Sequence, residues 1–112
     1  MIHKRILNAE RLRRVPASFS YVDHRLVRQG YLQRADAKAW ALYLVLVAVG
    51  DEYGLSYYSE RALSSLLALP LPEIAAARRR LEAADVLAYE APLYQVLSLD
   101  GARAANPEEA RR

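Results

Sequence analysis

The chain has 112 residues, 54% hydrophobic and 26% charged, which points to one small domain with a core and argues against wholesale disorder. It has no cysteine and only two histidines, His3 and His24, so disulfides, thiolate chemistry and a histidine-rich metal site are set aside. The formal charge of +3 is uneven: residues 1–40 hold nine basic against three acidic groups, and the other 72 hold seven basic against ten acidic.

In chain order, residues 1–14 suggest a short helix with Ile2, Ile6, Leu7 and Leu12 on one side, ended before Pro16. Ser18 or Ser20 is a candidate cap for a second short helix through Asp23–Arg28, which Gly30 terminates. Asp36 is placed to cap the strongest helix, running to about Asp51. That helix is apolar nearly all round and is therefore expected to be central. Its longest apolar run, Ala39–Val49, is eleven residues, short of the ~20 that span a bilayer. The first residues carry charges where a secretory leader would be apolar, so a soluble, cytoplasmic protein is expected.

Beyond Gly54, Leu55-Ser56-Tyr57-Tyr58 reads as a short strand. Ser59 is set to cap a helix from Glu60 to about Leu67, with Leu63, Leu66 and Leu67 inward. After the turn Leu69–Leu71, Pro72 opens a further helix whose buried stripe is Ile74, Ala77, Leu81 and Ala84. Val86–Tyr89 and Tyr94–Leu99 follow as two strands of a tight hairpin, and the last residues lack periodicity.

This order, carried by Gly54–Ser59, Ala62–Leu69, Glu73–Glu82 and Asp85–Tyr89, resembles a winged helix-turn-helix of the bacterial regulator or replication-initiator type. The expected fold is α+β, mostly α, with a small two- or three-stranded antiparallel sheet. Residues 1–35 form a basic N-terminal helical extension, 36–99 the winged domain and 100–112 a flexible tail. The resemblance implies that the Pro72–Ala84 helix enters the major groove of double-stranded DNA, which admits a helix and displays distinctive base edges. Arg79 points most directly outward and is the leading candidate contact, with Arg78, Arg80 and Arg61 beside it. Arg11, Arg13 and Arg14 are candidate phosphate contacts on the basic front. The hairpin holds no lysine or arginine and has Glu90 near its tip, which favours a competing reading as a protein–protein assembly module.

Other constellations carry less. Asp23-His24 has no nucleophile beside it, and no glycine-rich phosphate loop exists, so no enzyme activity and no cofactor are expected. Tyr57, Tyr58, Tyr89 and Tyr94 fit either a base-stacking face or, more commonly, packing beneath the helices. On the central helix, Leu42, Val45, Leu46 and Val49 share one side and Trp40, Leu44 and Val47 the other. The second side needs cover from Leu26, Val27, Tyr31 and Leu32 or from a second subunit, which makes Trp40, Leu44 and Val47 a candidate homodimer interface. The function expected is DNA recognition in transcriptional regulation, replication or mobile-element site marking.

Overall fold

Two side-chain caps set the helices around which the protein packs. In the computed structural model, which describes residues 3–100, Asp36 accepts the N–H of Ala39 at 3.0 Å and starts α2 (Ala37–Val49). Ser59 accepts the N–H of Ala62 at 3.0 Å and starts α3 (Glu60–Leu67). Each cap satisfies one N–H that the first helical turn leaves without a partner. The turn after α3 passes through Ala68 in the left-handed region to Pro70, and α4 runs Leu71–Ala83 with Pro72 in its first turn. Ahead of these lie a 3-10 turn at Ala9–Arg11, the short α1 (Arg25–Arg28) and a second 3-10 turn at Tyr31–Arg34.

Strands β1 (Leu55–Tyr57), β2 (Leu87–Glu90) and β3 (Leu93–Val96) form an antiparallel sheet in the order β1-β3-β2. Ser56 and Tyr89 both stand opposite Tyr94. The turn before β1 requires a glycine: Gly54 has φ +80°, and a Cβ there would lie 2.7 Å from the carbonyl oxygen of Val96. The described residues are thus α+β and mostly helical, with four α-helices and one small antiparallel sheet. No helix among them is long and apolar enough to cross a membrane.

The core sits where α2, α3 and α4 meet the sheet. Leu42, Leu46, Leu63, Ile74, Ala77, Leu81, Val86 and Tyr94 are fully buried there. The expected α4 stripe holds in full, since Ala84 is buried as well. An eight-residue helix has room for one narrow stripe, and α3 spends it on Leu63 and Leu67. Leu66, expected inward, is 58% exposed.

The front of the chain departs furthest from expectation. The helix expected near residues 1–14 is not formed among the described residues, which show the 3-10 turn Ala9–Arg11 there, and every residue from His3 to Val22 is exposed. A short helix is marginal in water unless packing covers its apolar side, and Ile6, Leu7 and Leu12 are each more than half exposed. Asp23, not Ser18 or Ser20, supplies the carboxylate at the start of α1, accepting the N–H of Arg25 at 2.8 Å. Gly30, at φ +75°, ends that segment as expected. The expected tail at 100–112 lies outside the described residues except for Asp100.

Candidate nucleic-acid interface

The three consecutive arginines of α4 point to different surroundings because successive helical residues are about 100° apart. Arg78 lies beside the buried stripe, with its side chain only 15% exposed. Its guanidinium bonds the Glu60 carboxylate at 2.8 Å, approaches Glu82 at 3.5 Å and covers the Tyr89 ring at 4.3 Å. It therefore ties α3, α4 and β2 together and has little left to offer a ligand. Arg80 is half exposed and pairs with Asp36 at 3.3 Å. Asp36 thus both caps α2 and holds a cation of α4. Arg79 is exposed and has no carboxylate partner among the described residues.

Around α4 the charge is balanced unevenly. Glu73, in its first turn, is neutralised by Lys38 of α2 at 2.6 Å. Arg61 of α3 is exposed and, like Arg79, has no ion pair among the described residues. Arg11, Arg13 and Arg14 are all exposed on the extended front, and no hydrogen bond or salt bridge among the described residues links them to α4. The hairpin presents Glu90 to solvent and carries no cation. Of the candidate contacts, those exposed and free of ion pairs among the described residues are therefore Arg79 and Arg61 on the helices and Arg11, Arg13 and Arg14 on the arm.

The tyrosines separate into two environments. Tyr94 is fully buried, and Tyr89 packs on it with ring centroids 4.6 Å apart. Burial, with Tyr89 and Glu60 reinforcing it, pushes the Tyr94 hydroxyl up to about 12 despite the nearby positive charge of Arg78. That hydroxyl makes no hydrogen bond among the described residues. Tyr57 lies one residue beyond the Ser56–Tyr94 pair and so faces the opposite side of the pleat, 71% exposed. Tyr57 therefore does not share a stacking face with Tyr89 and Tyr94, and Tyr58, expected on the first strand, lies beyond the end of β1.

The second side of α2 is mostly covered from within. Trp40 is half-buried, donates its indole N–H to the Leu32 carbonyl at 2.9 Å and meets Tyr43 edge-on at 5.0 Å. Val47 is half-buried against the core, while Leu44 stands 60% exposed. Leu26 is buried and Tyr31 half-buried, but Val27 and Leu32 remain exposed. The helical wheel missed Tyr43, which is buried with Leu42 and Leu46. It also missed the Lys38–Glu73, Arg80–Asp36 and Arg78–Glu60 pairs, because their partners are too far apart in sequence for any local spacing to signal them.

Near the C-terminal end of α2, an open groove of about 800 Å³ runs between Phe19–Tyr21 and the start and end of the sheet. Arg25 clamps one rim, bonding Asp23 and Asp100 at 2.7 Å each. The Arg25 side chain, by bonding its carboxylate, holds Asp23 below the usual carboxylate range. Among the described residues, no cluster of three or more His, Asp or Glu side chains is arranged to hold a metal ion. Comparison with known proteins gives no match to a family model, to a curated protein or to a solved structure.

Proposed function

We propose that this chain is a double-stranded DNA-binding module of winged-helix type, with α3 and α4 as the helix-turn-helix and the β2–β3 hairpin as the wing. The element order α2-β1-α3-α4-β2-β3 and the sheet order β1-β3-β2 support that reading. The observation that carries it is the contrast along α4: Arg78 and Arg80 hold carboxylates of the protein, while Arg79 between them is exposed and has no ion pair among the described residues. An arginine free of internal partners can pair with a guanine edge or a phosphate in two-pronged fashion. Arg61 and the arm arginines add cations for the backbone. A cytoplasmic role in transcriptional regulation, replication or mobile-element site recognition follows, by binding and not by catalysis.

The cation-free hairpin with exposed Glu90 favours a second reading, an assembly module that uses the same fold to meet protein. Binding to mixed-sequence duplex DNA across a salt series separates the two. Under the DNA reading, log affinity falls linearly with log salt, by about 0.9 per phosphate neutralised. Arg79→Ala then costs ~1–3 kcal/mol and relaxes preference at one base position. A protein that does not bind duplex DNA even at low salt belongs to the second reading.

A further inference from the structure

The exposed front of the chain carries more than charge. Between His3 and Val22, Ile6, Leu7, Leu12, Val15, Phe19 and Tyr21 are each more than half exposed. Phosphates reward the arginines of this arm but not its aliphatic side chains, which need an apolar surface to leave water. The groove at the foot of α2 has the complementary chemistry. Tyr43, Val47, Tyr53 and Val96 give it apolar and aromatic walls, and Asp51 and Glu52 line it as well. Both acids are exposed, and neither has an ion pair among the described residues. Residues 3–14 carry Lys4, Arg5, Arg11, Arg13 and Arg14 against the single acid Glu10.

We infer that the arm of one copy docks, through residues 3–14, into the acidic, apolar groove of a second copy, and reciprocally. Phe19–Tyr21 stand in the groove wall, whereas residues 3–14 are exposed and none of them lines the groove of their own copy, which leaves it open to the arm of another. A twelve-residue extended segment reaches about 40 Å, enough to cross a two-fold contact. Such a contact is self-complementary, as closed dimers require. It differs from an interface built on Leu44 of α2 and stands independently of DNA binding by Arg79, but an arm docked in this way holds its arginines against the groove and away from DNA phosphates.

The test is sedimentation of nuclease-treated full-length protein over a concentration series, with three variants. Wild type is expected to dimerise. Glu52→Lys, which reverses a groove charge, and the double variant Arg11→Glu/Arg13→Glu, which reverses two arm charges, are each expected to raise the dimer dissociation constant at least tenfold. An equimolar mixture of the two is expected to recover dimer, since each native arm then meets a native groove and each reversed arm a reversed groove. The third variant, Leu44→Glu, is expected to dimerise as wild type. A wild-type protein that stays monomeric at several hundred micromolar overturns the inference. So does a dimer indifferent to both charge reversals, or one lost on Leu44→Glu alone. Loss of DNA binding by Arg79→Ala with dimerisation intact leaves the inference standing, so the two readings fail separately.

Discussion

The arm at residues 3–22 and the body beyond it use similar residues to opposite effect. Both carry leucines, arginines and short stretches that read as helical, yet the arm has one 3-10 turn and no buried residue, while α4 buries Ile74, Ala77 and Leu81 completely. The difference is cover. An apolar stripe becomes a helix when another element removes it from water, and most helical stability in proteins comes from that packing. Alpha4 has α2, α3 and β2 against it, whereas Ile6, Leu7 and Leu12 face solvent.

The contrast breaks most sharply under truncation of one leucine in each region. Leu81→Ala removes a fully buried side chain from the junction of α4 with the core, and such deletions cost about 2–5 kcal/mol. Leu12→Ala, on the arm, is expected to stay within about 0.5 kcal/mol of wild type. Urea denaturation of the two variants measures both. Equal losses would mean that the arm packs in solution as the body does.

That division also decides what could be read from sequence. The Ser59 cap, the Asp36 cap and the α4 stripe were legible because each is a local pattern: a polar side chain one residue ahead of a helix, or a three–four spacing within it. The arm was misjudged because periodicity says nothing about whether a partner surface exists. Leu66 was misjudged because α3 is too short to bury two sides. The role of Arg78 was hidden for another reason. Its partner Glu60 lies 18 residues earlier, and only the α3–α4 turn brings the two together.

The neighbouring arginines sharpen the comparison within one helix. Arg78→Ala leaves Glu60 without its partner and uncovers the Tyr89 ring, and a hydrogen bond between charged groups is worth about 1.5–3 kcal/mol. A loss of about 2 kcal/mol is expected, because Glu60 remains partly exposed. Arg79→Ala is expected to change stability by less than about 0.5 kcal/mol while weakening DNA binding. Thermal melting and DNA titration of the two proteins should therefore rank them in opposite order.

Alkaline titration probes the core beneath the hairpin. The Tyr94 hydroxyl is held up to about 12 in the folded state, against an ordinary value near ~10 in the unfolded chain. A raised folded value means the stabilising contribution is fully present below about pH 10 and is lost as pH rises from there through about 12. The shift corresponds to roughly 3 kcal/mol. Tyr94→Phe removes a hydroxyl that has no hydrogen-bond partner among the described residues. Stability at pH 7 should therefore change little, and the alkaline loss between pH 10 and 12 should shrink. A variant that unfolds along the same alkaline curve as wild type would assign that loss to other tyrosines.

A small effect is expected at Leu44 too, where the sequence leaves open cover by the N-terminal residues or by a second subunit. Leu44 lies in the middle of an eleven-residue apolar run, and burial of an unpaired charge there would unfold a protein of this size. The structure leaves it 60% exposed, with Trp40 turned instead toward the Leu32 carbonyl and Tyr43. Glutamate at this position keeps its carboxylate in water and has helix propensity close to that of leucine. Leu44→Glu should therefore melt within a few degrees of wild type, a change of less than about 0.5 kcal/mol. A large drop in melting temperature would mean that the N-terminal residues close over this face of α2 in solution, and α2 would then be covered on both sides by its own chain.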